Sequence, residues 1–341
     1  MKAILQILKR IMLERKAFSW LWLLAFTSLF LNSALGQKTN SESRFRVLGY
    51  LFSHSKWADE IDSIDLSQIT DLNLAFINPD ASGRFAPYDG FSKITRKAHA
   101  NKLRVFMSIG GGNPPPHLEK LMHKEKRPAL VNEIVTMCER YEFDGVDVDI
   151  ENNLINKDYP DFVAELAEAL HTKNKLITTA LASWNSNLVH DSTLKRYDFI
   201  NIMCYDKTGP WNLSKAGQHS PYSMVEDDFN YFHNTRGIAS EKLLIGLPFY
   251  GYGFGRGVPE SLAYKDICNT YPNAFDTDSI TVPVGGTIYY NGRETIRKKT
   301  SFAILNKLSG VMIWQLSGDS KDSTSLLKMI NSTIELSGVK K

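Results

Sequence analysis

The chain has 341 residues, of which 43% are hydrophobic and 23% charged, and its formal net charge is +3. These proportions exclude a disordered or collagen-like chain and leave room for one barrel of about 250 residues plus a leader. Several of the positive charges sit near the N-terminus and at Lys340-Lys341, so no basic face is set aside for nucleic acid.

Residues 1–36 read as a leader. Lys2, Lys9, Arg10, Arg15 and Lys16 form a basic start, Ala17 to Leu31 an apolar run, and Ala34-Leu35-Gly36 a small-residue cleavage site before Gln37. Basic, apolar, then small is the order of a secretory signal peptide. The apolar run falls short of the about 20 residues that cross a bilayer, so no membrane span is expected in the mature chain; an uncleaved anchor is the alternative. Met12 is an alternative start. Residues 37–43 are a polar linker, and the folded domain is expected over 44–341. The implied destination is the periplasm, the cell surface or the medium.

From Phe45 onward, short runs rich in β-branched residues alternate with helical patterns. The runs are Arg46–Leu51, Ile69–Ile77, Leu103–Ile109, Gly145–Ile150, Leu176–Ala182, Phe199–Cys204, Leu243–Leu247 and Gly310–Leu316. Several are nearly continuous in apolar residues, as strands buried on both faces are. Between them, Asp161–Thr172 carries Phe162, Leu166 and Leu170 on one helical stripe, with Pro160 at its first turn. Arg127 to Arg140 repeats the pattern with Leu130, Ile134 and Met137, and Thr324–Leu336 is the last helix. Eight alternations predict an α/β fold, a single-domain (β/α)8 TIM barrel; a doubly wound sheet of eight strands would read similarly. The stretch Gly251–Gly286, rich in Gly, Asp, Asn, Tyr and Pro, breaks the rhythm and reads as a long loop or short insertion between strands seven and eight. Cys138, Cys204 and Cys268 match no zinc or redox spacing and read as free thiols.

The fourth run is the most informative. In Phe143-Asp144-Gly145-Val146-Asp147-Val148-Asp149-Ile150-Glu151, period two sends Asp147, Asp149 and Glu151 to one face and Val146, Val148 and Ile150 to the other. The apolar set would lie under helices and the acidic set would face the barrel interior. Neighbours on that face are about 6.6 Å apart along the strand, so burial and repulsion should hold a proton on at least one. A proton held at neutral pH is what a general acid needs. Glu151 ends the strand, and barrels of this kind carry their sites at that end. The same run could bind Mg²⁺ or Ca²⁺, or form a solvated edge; the strict Val/Val/Ile alternation argues against the edge.

At these residues the sequence resembles glycoside hydrolase family 18, the chitinases and endo-β-N-acetylglucosaminidases. Asp144 to Glu151 resembles the family's D-x-x-D-x-D-x-E signature. Ser108-Ile109-Gly110-Gly111 resembles its S-x-G-G, Met203-Cys204-Tyr205-Asp206 its M-x-Y-D, Gly246-Leu247-Pro248-Phe249-Tyr250-Gly251 its G-[LIV]-P-x-Y-G, and Trp314 its strand-eight Trp. Gly49-Tyr50 and Ala75-Phe76 also fit, so the likeness runs from about residue 45 to 335 with a motif at successive strand ends. This context argues against the metal reading, and no cofactor is called for.

The resemblance implies substrate-assisted retaining catalysis. Glu151 would protonate the glycosidic oxygen and then act as base. The substrate's 2-acetamido oxygen would attack the anomeric carbon. Asp149 would orient the acetamido group and share a proton with Asp147, and Tyr205 would bond its carbonyl. Trp314 would floor the adjacent subsite, and Asp206, Met203, Tyr50 and Tyr250 would line the sugar site. Trp57, Trp184 and Trp211 follow strands one, five and six; Trp184 and Trp211, flanked by Asn and turn residues, are assigned to the cleft. Phe76 and Phe249 are assigned to the core, and the histidines to structural or surface places. Chitin or N-acetylglucosamine oligosaccharides are the implied ligands, and a monomer is expected. Two departures, the short Gly251–Gly286 stretch and Ile150-Glu151-Asn152-Asn153 where deep-grooved members often have Trp-Glu-Tyr-Pro, point to a shallower cleft cutting soluble chains internally. An endo-β-N-acetylglucosaminidase acting on the chitobiose core of N-glycans and an inactive chitooligosaccharide-binding lectin are the alternatives.

Overall fold

The computed structural model describes residues 44–54 and 56–341, so the expected leader and linker lie outside the described residues. Eight parallel strands close into a barrel: β1 (Arg46–Phe52), β2 (Asp71–Ala75), β3 (Arg104–Gly110), β4 (Gly145–Asp149), β5 (Leu176–Leu181), β6 (Phe199–Ile202), β7 (Leu243–Pro248) and β12 (Gly310–Trp314). Each expected strand is present: β1 and β7 run one residue longer, β3 is shifted by one, and the other five are shorter by one to four residues; the closed order β1-β12-β7-β6-β5-β4-β3-β2 rules out the open sheet.

Alternation along the strands divides the core into two layers. Val47, Leu51, Leu72, Leu74, Val105, Met107, Val146 and Val148 point outward and pack under the helices. Leu48, Tyr50, Ala75, Phe106, Ala180, Phe199, Leu244 and Met312 point inward and fill the barrel. The helix Tyr159–His171 buries the expected stripe of Phe162, Leu166 and Leu170, with Pro160 in its first turn. Helix Arg127–Arg140 has the bounds its periodicity predicts. The last helix, Leu326–Ser337, is capped by the Ser325 hydroxyl and ends at Gly338 in the left-handed region. Among the described residues no helix is long and apolar enough to cross a membrane.

The stretch between strands seven and eight, read as a long loop or short insertion, is an ordered insertion that runs a few residues past Gly286. It builds an antiparallel sheet of β8 (Tyr250–Phe254), β9 (Ser261–Ala263), β10 (Ser279–Thr281) and β11 (Thr287–Tyr289), in the order β10-β11-β8-β9, with a helix at Tyr264–Thr270. Three of its strands have only three residues, too few for alternation to show in sequence.

Candidate active site

β4 places its carboxylates by parity alone. Asp147, wholly buried, and Asp149 project into the barrel, while Val146, Val148 and Ile150 are buried under the helices. Asp144 stays outside: its Oδ2 accepts the Val105 N–H at 2.7 Å and meets His99 Nε2 at 2.9 Å, which fixes the start of the strand. Glu151 stands two residues beyond the strand's end in extended backbone (φ −119°, ψ 163°). The chain then turns sharply at Asn152, in the left-handed region with φ 54°. Glu151 is thereby left half-buried at the barrel mouth.

Asp147 is saturated with donors. Its Oδ2 accepts the Tyr50 hydroxyl at 2.6 Å and the Ser108 hydroxyl at 2.7 Å. Its Oδ1 accepts the Thr178 hydroxyl at 2.8 Å and the Asn201 amide at 3.2 Å. Those donors come from β1, β3, β5 and β6, so the closed barrel is what assembles them. Asp149 is the opposite case: its Oδ1 has no hydrogen-bond partner among the described residues. Burial, then the charges of Glu151 and Asp147, push the Asp149 carboxyl well above the usual range. Burial raises Asp147 too, opposed by its four donors. The pair therefore keeps one proton, and it rests on Asp149, because Asp147 is the better-solvated anion. Glu151 is pushed up to about 7, first by burial and then by the Asp206 carboxylate.

The neighbouring motifs hold this strand end. Gly110 (φ 101°) lies so close that a Cβ there would stand 2.1 Å from the Asp149 carbonyl oxygen, and the Gly111 N–H donates to that oxygen at 2.6 Å. Tyr205, just past β6, is buried with its hydroxyl 3.8 Å from Met312 Sδ. Burial and the charges of Asp206, Asp149 and Glu151 keep its phenol protonated, hence a donor. A Cβ on Gly246 would come 2.7 Å from the Tyr205 ring, so β7 needs glycine to admit it. Asp206 is partly exposed and accepts the Tyr250 hydroxyl on Oδ1. Met203 packs beside Tyr205 in the inner layer. Trp314, at the end of β12, stacks on Phe76 at 5.7 Å and 26° and meets Tyr50 and Phe52 edge-on or tilted at 5.4 and 5.8 Å.

Several expected positions differ. Tyr50 is only 1% exposed, with its hydroxyl on Asp147; it supports the carboxylate from below and presents no face to a sugar. Trp57 is buried, because the short helix Trp57–Glu60 folds its ring inward and its Nε1–H bonds the Ala75 carbonyl at 3.0 Å. Phe76, assigned to the core, is half-buried against Trp314 and extends the aromatic floor, whereas Phe249 is buried as expected. Trp211 is 64% exposed and joined to the site through edge contacts Trp211–Tyr252, Tyr252–Tyr250 and Tyr250–Tyr205. Trp184, 50% exposed on the turn after β5, has no described contact with the carboxylates. His219, expected with the other histidines in a structural or surface place, lies wholly buried behind Asp206.

A closed parallel barrel with a row of protonated and ionised carboxyls at the strand ends, over an aromatic floor, defines a barrel glycosidase site. The family model of glycosyl hydrolases family 18 matches residues 46–319, and the chain belongs to that family as a chitinase or chitinase-like member. Among solved structures, it resembles the GH18 chitinase ChiB from the chitin utilization locus of Flavobacterium johnsoniae, with TM-score 0.77 and 34% identity over 85% of this chain and 94% of that one. A chitinase from Bacteroides thetaiotaomicron matches with TM-score 0.75 and 26% identity over 86% of this chain and 98% of that one. Probable chitinase 2 of Drosophila melanogaster is 27% identical over 67% of this chain, which spans 59% of that protein's length.

Proposed function

We propose that the protein is a secreted chitinase that hydrolyses β-1,4 bonds between N-acetylglucosamine units by substrate-assisted retaining catalysis. One observation carries the mechanism: no carboxylate on β4 is free to attack an anomeric carbon. Asp147 is buried beneath four donors, Asp149 keeps a proton, and Glu151 is the acid at the mouth. Asp206 is already engaged by Tyr250. The nucleophile then comes from the substrate, and a 2-acetamido sugar supplies one in its own carbonyl oxygen.

Each residue's part follows from its protonation. Glu151 gives its proton to the glycosidic oxygen and takes one back from water in the second half. The open Oδ1 of Asp149 accepts the acetamido N–H as positive charge develops. Tyr205 donates to the acetamido oxygen, and Trp314 with Phe76 carries the apolar face of the sugar. Asp206 contacts the sugar while its charge helps keep Glu151 protonated. Export is assigned to the leader over residues 1–36, and internal cleavage of soluble chains to the small size of the insertion sheet.

The test is incubation of the mature protein with chitotetraose and, separately, with a high-mannose glycoprotein, beside a Glu151→Gln control. Release of chitobiose by wild type alone supports the chitinase. Glycoprotein cleavage with intact chitotetraose moves the assignment to the N-glycan core, and equal binding by both proteins with no cleavage makes it a lectin. The pH profile adds a second check. A general acid works only while protonated, so kcat/KM on 4-nitrophenyl chitobioside should fall as pH rises through about 7, the Glu151 midpoint. An alkaline limb at ordinary carboxylate pH, about 4 to 5, would remove Glu151 from the acid's role.

A further inference from the structure

We propose that His219 is a positioning residue of this site: its buried ring, wedged behind Asp206 and between Tyr250 and Tyr252, fixes the Asp206 carboxylate in front of Glu151. The inference rests on the reading of Glu151 as the acid. Asp206 has φ 62°, a conformation that a non-glycine residue keeps only where its surroundings hold it. Two groups do so. The Tyr250 hydroxyl donates to Oδ1, and His219 Nδ1 lies 3.5 Å from both the backbone nitrogen and Oδ1 of Asp206. The Lys207 N–H, next in the chain, donates to the His219 carbonyl at 2.9 Å.

His219 is itself locked on both sides. The Gln218 amide donates to the carbonyls of Tyr290 at 2.5 Å and Asp278 at 3.1 Å, which ties the loop to the insertion. The Ser220 hydroxyl donates to the Cys204 carbonyl at 2.6 Å and accepts from Lys299 Nζ at 2.6 Å. The imidazole meets the rings of Tyr250 and Tyr252 at 5.0 Å each. Its Nε2 is buried with no hydrogen-bond partner among the described residues. A buried polar atom without a partner is a cost that leucine or phenylalanine would avoid, so packing alone does not account for a histidine here. What histidine adds is the Nδ1 facing Asp206.

The groups around the ring are Asp206, Tyr250, Tyr252 and Lys299. Burial, with the Lys299 ammonium and against Asp206, holds His219 below its ordinary pKa, so it is neutral and its Nδ1 makes one bond at a time: it accepts the Asp206 N–H or, in the other tautomer, donates to Oδ1. The consequence reaches Glu151 through charge, since Asp206 is the one charged neighbour that raises it. Releasing Asp206 toward solvent would weaken that repulsion and let Glu151 ionise earlier.

The experiment titrates the Glu151 carboxyl by carbon-13 NMR in glutamate-labelled protein, with Glu151→Gln identifying the signal. His219→Leu and His219→Phe keep the bulk and lose the polar atom; His219→Asn keeps a polar atom near the Nδ1 position. In whichever apolar variant folds, the Glu151 midpoint should drop by about half a pH unit or more, while His219→Asn stays near wild type. The alkaline limb of kcat/KM should move with it, costing about threefold at pH 8. Wild-type titration in the apolar variants, or an equal drop in His219→Asn, overturns the proposal. If wild type cleaves no substrate, the functional reading falls while the titration still decides the place of His219.

Discussion

Glu151→Gln should lower kcat on chitotetraose by about 10²- to 10⁴-fold, the usual worth of a positioned general acid, and leave oligosaccharide binding within a few-fold. Glutamine matches protonated glutamate in shape and charge but gives up no proton. The sugar would still meet Trp314, Phe76, Tyr205 and Asp149. The same substitution should raise stability on the alkaline side. Glu151 titrates at about 7 in the folded chain, against about 4.3 unfolded, so the folded state binds the proton more tightly. That stabilisation is full below the unfolded value and is lost as pH rises through about 7. The glutamine variant has nothing to lose, so it should melt above wild type at pH 8, and the two should converge near pH 4. Turnover within tenfold of wild type would remove Glu151 from the acid's role. Identical melting at pH 8 would remove the raised pKa.

What could be read from sequence follows how local each feature is. β4 was legible because its three carboxyls alternate with Val146, Val148 and Ile150 inside one short segment, and alternation is a property of the strand itself. The residues that saturate Asp147 were not. Tyr50, Ser108, Thr178 and Asn201 stand on four strands, and only closure of the barrel brings them to one carboxylate. Thr178 and Asn201 did leave a trace, as polar inward positions in otherwise apolar strands. Phe76, expected in the core, reaches the aromatic floor because a residue just past a strand end can turn either way. His219 sits in an irregular segment whose place is set by contacts to Tyr290, Asp278 and Lys299, all more than fifty residues away.

Asp147 offers the clearest separation of folding from chemistry. Asp147→Ala would strand four buried donors, each worth about 1–3 kcal/mol when unsatisfied. The Asn201 amide also lies 3.3 Å from the Tyr50 hydroxyl and recovers part of the loss, so the costs do not add. A destabilisation of about 3–5 kcal/mol is expected, as for breaking a buried charge network, read as a lower urea midpoint. Asp147→Asn should behave differently. Its carbonyl can face Thr178 and the Asn201 amide, which only donates, while its NH₂ faces the Tyr50 and Ser108 hydroxyls, which can turn to accept. Stability should then stay within about 1 kcal/mol of wild type, the worth of a typical hydrogen bond. Yet the negative charge beneath Asp149 is gone, and with it one of the causes that holds the Asp149 proton. Burial and the Glu151 charge still raise Asp149, but its carboxyl loses the anion that shares a proton with it, and kcat should fall about 10²-fold, the scale of lost electrostatic preorganisation. A stable Asp147→Asn protein with wild-type kcat would show that the charge at the centre of the barrel serves the fold alone, and an Asp147→Ala protein as stable as wild type would show that it does not serve even that.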